Sequence, residues 1–190
     1  MADNPQYSSI ITERHHERLA SAIEEARAGG ARVLSHGEDT SAAGRKINPT
    51  VVLNPPLDGR LMREEIFGPV LPIVTYRTLD EAIAFVNARE RPLALYCLSR
   101  SAARRERVLA ETVSGNATVN GTLLHIAQED LPFGGVGPSG IGAYHGREGF
   151  KRFSHARGVF EVRGVNPFDF LTPPYGKVAD TVINAIRRRG

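Results

Sequence analysis

The sequence predicts an α/β fold in which helices cover both faces of a parallel sheet. Short apolar runs with strand character alternate with segments whose apolar residues recur at helical spacing. Breaker pairs such as Gly68-Pro69 separate some of these segments. Strands that alternate with helices of about ten to fourteen residues are typical of βαβ units, and these units place their strands in parallel.

The amino-terminal segment predicts a helix followed by a strand. Apolar residues recur at helical spacing over residues 13–28, Thr12 precedes them as a suitable N-cap, and Gly29 follows as a stop. Residues 32–35 then predict a short strand. A polar loop is expected over residues 36–45, and it is the segment for which the composition most favours flexibility.

The stretch at residues 63–76 joins an acidic, aromatic turn directly to a β-branched run. The turn carries Glu64, Glu65 and Phe67, and the run predicts a strand over residues 70–76. Charged and aromatic side chains are therefore held at one end of a rigid element. From the residues alone, a surface turn with two solvated carboxylates remains an alternative, because carboxylates are mostly exposed.

The remaining elements continue the alternation, and Asn120 closes one of the strands. In parallel sheets, functional groups collect where strands end at their carboxyl edge, so Asn120 is a candidate for that edge. The predicted elements are a strand at 50–53 within the segment 47–53, a helix at 79–88, a strand at 92–98, a helix at 99–112, a strand at 116–120, a short helix near 150–153, a strand at 158–163, an extended segment at 166–176 and an amphipathic helix at 177–189.

The glycine-rich segment at residues 131–142 formally spells the pattern Gly-x-Gly-x-x-Gly. A dinucleotide-binding fingerprint requires a strand directly before the glycines and a helix that opens within them. Here Pro132 precedes the glycines and Pro138 interrupts them. The segment therefore favours a turn in which missing side chains allow close backbone packing.

Composition restricts the class of protein. At 190 residues, with 41% hydrophobic and 24% charged residues, the chain has the size and composition of one globular domain. Its net charge of +3 comes from dispersed Lys and Arg, so nucleic-acid binding is not expected. The single cysteine, Cys97, excludes an internal disulfide and a multi-cysteine zinc site, and we expect no metal. The absence of a long apolar run and of a leader-like amino terminus predicts a cytoplasmic protein without membrane insertion.

Several ordered motifs resemble the aldehyde dehydrogenase superfamily. They are Glu64-Glu65-Ile66-Phe67-Gly68-Pro69, the strand end at Asn120, Leu131-Pro132-Phe133-Gly134-Gly135 and Tyr144-His145-Gly146. The segments at 92–96 and 154–155 are most similar to the class 3 and coniferyl aldehyde dehydrogenase branch. The resemblance covers only the carboxyl-terminal part of such an enzyme. It implies an incomplete catalytic domain over residues 1–165 and a carboxyl-terminal extension with an amphipathic helix over residues 166–190.

The resemblance also implies positioning roles for four residues. Glu65 matches a glutamate that binds the nicotinamide ribose hydroxyls, and Phe67 matches an aromatic residue beside that ribose. Phe133 matches a residue bordering the substrate tunnel, and Asn120 matches an asparagine that supports the active-site loop. The family uses NAD or NADP, and we expect this chain alone to bind neither.

No catalytic residue is expected within this chain. In the family, a cysteine attacks the aldehyde, and it lies farther upstream of the motif than the 64 residues that precede Glu65 here. Cys97 follows the motif inside an apolar strand, where a cysteine behaves as a small buried hydrophobe.

Two hypotheses follow from these expectations. The chain is the carboxyl-terminal piece of an NAD(P)-dependent aldehyde dehydrogenase that acts on a coniferyl-like aldehyde, inactive alone and completed by a separate amino-terminal half. Alternatively, it is a noncatalytic interaction module that self-associates through the predicted strand at 158–163 and through apolar surface left exposed. A homodimer is expected under either hypothesis, because the family joins its subunits through the corresponding strand.

Overall fold

The computed structural model describes residues 4–37, 44–164 and 166–188. Short strands alternate with helices along these residues, so the predicted α/β class is confirmed. The elements are α1 (Glu13–Ala28), β1 (Arg32–Ser35), β2 (Thr50–Leu53), α2 (Arg60–Arg63), β3 (Val70–Ile73), α3 (Leu79–Asn87), β4 (Ala94–Cys97), α4 (Ala102–Glu111), β5 (Asn116–Val119), α5 (Gly146–Arg152), a 3₁₀ helix (Pro167–Leu171) and α6 (Lys177–Arg187).

The strands form two sheets, and the first of them is mixed in direction, which corrects the prediction of one sheet in which all strands are parallel. The first sheet has the order β1-β2-β3, and the second pairs β4 with β5. The pairs β2–β3 and β4–β5 are parallel, whereas β1 runs antiparallel to β2. Parallel strands need a crossover, usually helical, and α2 and α4 lie within those two connections. The β1–β2 connection is the predicted loop at 36–45, and its residues 38–43 lie outside the described part of the chain.

The core lies between α1 and one face of the three-stranded sheet. Leu19 of α1 and Val52 of β2 are fully buried there. Since successive side chains of a strand point to opposite faces, Leu71 lies on the other face from the buried Val70. That face is open, with Leu71 58% exposed and Leu34 of β1 46% exposed. The expectation that both faces would be covered is therefore wrong for this sheet.

The observed starts of α1 and α3 agree with the sequence-based predictions. The end of one strand and the presence of one helix differ from them. Thr12 and Thr78 cap α1 and α3 as predicted, and each side-chain oxygen accepts a bond from a backbone N–H of the first turn. The strand predicted over 70–76 ends at Ile73, because the Thr75 N–H leaves the ladder and donates to Asn54 Oδ1 at 2.9 Å. The short helix α2 lies in a segment that the sequence indicated only as a loop.

The carboxyl-terminal region departs most from the sequence-based expectations. The predicted strand at 158–163 is absent: its side chains are exposed, and the described backbone from 155 to 164 forms no backbone hydrogen bonds. A strand needs a partner strand, and the alternating pattern does not supply one. The segment at 166–176, expected to be extended, contains the 3₁₀ helix.

The last helix buries little of its apolar stripe. Ala179 is buried against the segment that contains the 3₁₀ helix, but Val178 and Ile186 are 55% and 67% exposed. The helix ends at Arg187, and Arg189, where the predicted helix ended, lies outside the described residues. Across the described ranges, none of the helices has the length and apolar character required to cross a membrane.

Candidate functional site

The loop between α2 and β3 carries the predicted cofactor-binding residues, and its two adjacent carboxylates have different environments. Glu64 Oε2 accepts a hydrogen bond from Arg18 Nη1 at 3.2 Å. Glu65 is exposed and has neither a hydrogen bond nor an ion pair among the described residues. Phe67 is 75% exposed. The loop therefore ties one carboxylate back to the protein and leaves the other, together with a nearby ring, available to a ligand.

The backbone of this loop is held at both ends. The Glu64 N–H donates to the Arg60 carbonyl at 2.9 Å, and the Pro69 carbonyl accepts from the Thr50 N–H at 2.9 Å where β2 meets β3. Between these anchors Phe67 has a φ of +46°, a left-handed conformation that is unfavourable for a bulky side chain. Strained residues of this kind persist only when their surroundings fix them, and they are frequent at binding sites.

Asn120 directly follows β5 in a left-handed conformation and joins the two strands of its sheet. With φ at +53°, its N–H donates to the Cys97 carbonyl at 2.9 Å. Its Oδ1 accepts from the Ser99 N–H at 2.8 Å. The side chain thus fixes the backbone that leads from β4 into α4.

Asn54 repeats this arrangement in the other sheet. It follows β2 with φ at +50°, donates its N–H to the Ile73 carbonyl at 2.7 Å and accepts from the Thr75 N–H at 2.9 Å. In both cases the asparagine bonds the last residue of the parallel neighbour and the residue two positions beyond it. The geometry at Asn120 is therefore a general way of closing a parallel strand pair in this fold.

Substitutions at the two asparagines are expected to have matching effects on stability. Asn120→Gly keeps the left-handed backbone and removes one hydrogen bond, which costs about 1 kcal/mol. Asn120→Ala adds left-handed strain, for a total of about 2 kcal/mol. Asn54→Gly and Asn54→Ala serve as the matched pair, and urea unfolding of each variant gives the values. An Asn120→Gly variant as stable as the unsubstituted chain would contradict a structural role for the bond to Ser99.

Phe133 lies in a cluster of aromatic and imidazole rings, which we call the ring cluster. Its ring stacks on His125 with centroids 5.7 Å apart and on His145 at 5.9 Å, and it meets Tyr144 edge to face at 5.5 Å. Tyr96 of β4 joins the cluster through His125 at 5.8 Å. These rings pack against one another beside β4 and β5, and Tyr144 and Tyr96 keep 47% and 39% of their surface exposed.

Two histidines of the ring cluster were not identified from the sequence. His125 is 8% exposed, and its Nδ1 lies 2.8 Å from the Thr118 hydroxyl on β5. His145 has a φ of +78°, and its buried Nδ1 has no hydrogen-bond partner in the described structure. The available signal was the Tyr144-His145 pair, which belonged to a motif without an assigned role.

The glycine-rich turn has the predicted character. Phe133 and Tyr144 pair as an antiparallel bridge, in which each N–H donates to the other's carbonyl at 2.8 Å. A Cβ on Gly134 would collide with the Gly142 carbonyl oxygen. The missing side chain thus permits a close backbone contact, as expected, and this contact holds the ring of Phe133 beside that of Tyr144.

The candidate residues form two separate groups. Glu65 and Phe67 lie on the loop before β3, whereas Asn120 and Phe133 belong to the β4–β5 region. Within the described residues, no hydrogen bond, ion pair or ring contact joins the two groups. Cys97 is buried at the end of β4, where its carbonyl accepts from the Asn120 N–H. The thiol of Cys97 is therefore enclosed by the described part of the chain.

Comparison with known proteins identifies what this arrangement is similar to. The sequence model of the aldehyde dehydrogenase family matches residues 1–159. A probable coniferyl aldehyde dehydrogenase of Caulobacter vibrioides is 50% identical over 181 residues, which cover 92% of this chain and 37% of that relative. A coniferyl aldehyde dehydrogenase of a Pseudomonas species is 43% identical in an alignment that covers 98% of this chain and 40% of the relative. The chain thus spans about two-fifths or less of the length of these relatives.

Solved structures show the same relation in three dimensions. The substrate-bound state of Staphylococcus aureus AldH aligns with a TM-score of 0.72 and 37% identity, covering 97% of this chain and 39% of that one. An NAD-dependent aldehyde dehydrogenase from Sinorhizobium meliloti aligns with a TM-score of 0.74 and 33% identity, covering 84% of this chain and 32% of that one. The described fold is therefore an incomplete version of the fold of these enzymes.

Proposed function

Because this chain belongs to the aldehyde dehydrogenase family, we propose that it supplies the cofactor-positioning and substrate-lining part of an NAD(P)-dependent aldehyde dehydrogenase. In this proposal residues 1–165 are part of the catalytic domain and residues 166–190 are its carboxyl-terminal extension. The nucleophilic cysteine and most of the nucleotide-binding surface come from a portion that this chain does not contain. The chain alone is inactive, and a complementary portion restores turnover.

The different environments of Glu64 and Glu65 carry this proposal. A carboxylate that binds two ribose hydroxyls must be ionised, exposed and free of competing cations. Glu65 meets the last two of these conditions, whereas Glu64 is engaged by Arg18. The exposed ring of Phe67 lies two residues away and provides an apolar surface for the sugar or the nicotinamide. When bound, the nucleotide supplies the hydride acceptor, and these two side chains orient it.

The ring cluster suggests the substrate class. Tyr144 is 47% exposed and packs edge to face on the half-buried Phe133, and an exposed aromatic edge of this kind favours a planar aromatic aldehyde over a short aliphatic one. Two relatives carry coniferyl aldehyde dehydrogenase in their names, and coniferyl aldehyde is a conjugated aromatic aldehyde. We therefore assign a coniferyl-like aldehyde as the substrate and the corresponding carboxylic acid as the product.

A reconstitution experiment tests the proposal. The chain is mixed with the part of the Caulobacter vibrioides relative that it does not span. Formation of NADH from NAD⁺, or of NADPH from NADP⁺, is followed with coniferyl aldehyde as the substrate. We expect turnover only in the mixture. Glu65→Gln is expected to raise the KM for the nucleotide about tenfold, because it weakens hydrogen bonds to a charged acceptor.

Glu106→Gln provides the matched control for this substitution. Glu106 is an exposed glutamate of α4 with no hydrogen bond or ion pair among the described residues, so its replacement removes the same charge away from the loop. Its KM for the nucleotide is expected to equal that of the unsubstituted chain. Aldehyde oxidation by the chain alone, lost in Cys97→Ser, would contradict the proposal.

A noncatalytic interaction module is a second candidate, favoured by the exposed segment at 158–163. Val159 and Phe160 are 77% and 87% exposed, and their backbone lacks strand partners within the described chain. Extended segments of this kind can pair with another chain. Sedimentation analysis discriminates the two candidates: a stable homodimer without reconstituted turnover favours the module, and turnover in the mixture favours the enzyme.

A further inference from the structure

One face of α1 binds the segment that leads into the Glu65–Phe67 loop. Arg18 Nη1 donates to Glu64 Oε2 at 3.2 Å, and Arg18 Nη2 donates to the Ile66 carbonyl at 2.7 Å. The two acceptors lie on either side of Glu65 in the sequence. The Arg18 side chain is only 26% exposed, so it bonds the loop from a partly desolvated position.

The same face of α1 also holds the helix before the loop. Glu25 accepts from the Arg60 N–H at 3.0 Å and from Arg60 Nε at 2.5 Å, and the Ser21 hydroxyl accepts from Arg60 Nη2 at 2.9 Å. The bonds from Arg60 lower the pKa of Glu25, so this carboxylate is ionised at neutral pH. Residues 18, 21 and 25 lie on one side of a helix. They form a polar stripe that fixes the chain from Arg60 to Ile66.

Leu19, on the buried face of α1, contacts the carboxyl-terminal end of the loop at Gly68. Leu19 is fully buried, and a Cβ on Gly68 would lie 2.5 Å from Leu19 Cδ1. The backbone at Gly68 therefore rests directly on α1. The Arg18 bonds and this contact thus hold the backbone on both sides of Glu65 and Phe67, while the side chains of these two residues stay exposed.

We propose that Arg18 is a positioning residue for nucleotide binding, because it fixes the backbone on both sides of Glu65. This proposal rests on the function proposed above, in which Glu65 and Phe67 orient the nucleotide. Arg18 does not touch the nucleotide. Its contribution is preorganisation, which raises affinity because less conformational freedom is lost on binding.

The first measurement uses the chain by itself and needs no nucleotide. Amide chemical shifts and ¹⁵N relaxation of Glu65 and Phe67 are recorded for Arg18→Met and Arg18→Lys. We expect increased mobility at both residues in Arg18→Met, and a smaller increase in Arg18→Lys, since an ammonium can bond only one of the two separated acceptors well. Arg107→Met is the matched control, because Arg107 makes a comparable ion-pair cluster with Asp80 and Glu111, and it should leave the loop signals unchanged.

The second measurement is the KM for the nucleotide in the reconstituted enzyme. Arg18→Met is expected to raise this KM about fivefold, with a change in kcat of less than twofold. Arg18→Lys is expected to raise the KM by a smaller factor. A general folding defect would reduce the active fraction and thus kcat, without this selective change in KM. If Arg18→Met fails to fold, Arg18→Lys carries both measurements.

The outcomes separate this proposal from the proposed function. An unchanged loop in both Arg18 variants would overturn the role of Arg18, whatever the enzyme does. A mobile loop with an unchanged KM would also overturn it, provided that Glu65→Gln still raises KM. If Glu65→Gln itself leaves KM unchanged, the proposed role of the loop in nucleotide binding fails, and the positioning role fails with it.

Discussion

Leu19→Ala is expected to lower the free energy of unfolding by about 3 kcal/mol, the middle of the range for a fully buried leucine. Leu19 has no exposed surface and packs between the sheet and the backbone of Gly68. Its truncation removes apolar contacts and leaves a cavity that the glycine on one side cannot fill with a side chain. Urea unfolding followed by circular dichroism measures the loss.

Leu98→Ala is the matched control for this substitution. Leu98 is 70% exposed, so the same truncation should change stability by about 0.5 kcal/mol or less. The amide signals of Glu65 and Phe67 should shift in Leu19→Ala and stay in place in Leu98→Ala. A loss below about 1 kcal/mol for Leu19→Ala would mean that α1 is not the main cover of the three-stranded sheet.

Gly134→Ala is expected to produce a loss of comparable size, about 3 kcal/mol, for a different reason. The added Cβ would overlap the Gly142 carbonyl oxygen and lie 2.8 Å from the Ala143 Cα. Both neighbours are backbone atoms, so no side-chain rotation relieves the clash. The bridge between Phe133 and Tyr144 must therefore open, which breaks its two hydrogen bonds and the edge-to-face ring contact. Amide hydrogen exchange at these two residues, together with urea unfolding, measures the effect.

Gly158→Ala tests whether the loss is specific to close packing. An added Cβ at Gly158 meets nothing within 4 Å, and the residue does not require a left-handed backbone. We expect its stability to stay within about 0.5 kcal/mol of the unsubstituted chain. If Gly134→Ala were equally harmless, the glycines would have no packing role, and a phosphate-binding turn would again have to be considered.

Local signals predicted most of the helices. Thr12 and Thr78 each precede an apolar pattern at helical spacing, and both cap their helices through the first-turn N–H groups. Capping and helical periodicity act within a few residues, so the sequence contains the required information. The same holds for the close backbone contact of the glycine-rich turn.

Features that depend on distant partners could not be predicted. Nothing local distinguishes Glu64 from Glu65, because the difference is made by Arg18, 46 residues away from Glu64. The antiparallel direction of β1 and the missing strand at 158–163 depend likewise on which neighbour is present. Alternating apolar and polar residues indicate that a segment can form a strand. They do not indicate whether a partner strand is present.

The site residues divide in the same way. Motif resemblance singled out Glu65, Phe67, Asn120 and Phe133, but it did not include the imidazole of His125 that stacks on Phe133. That contact depends on Thr118 of β5, which lies 2.8 Å from the ring nitrogen of His125. A contact between a strand residue and a residue of the following loop depends on the folded path of the chain, so the sequence pattern alone does not predict it.

The left-handed backbone of Phe67 has a consequence for how this protein would respond to selection for heat resistance. Glycine or asparagine accommodates a φ of +46° more easily than phenylalanine, so thermostabilised lineages should tend to replace the ring first. Replacement would remove the aromatic surface that the proposed function assigns to nucleotide binding. Under that proposal, thermal stability and cofactor affinity compete at this one position.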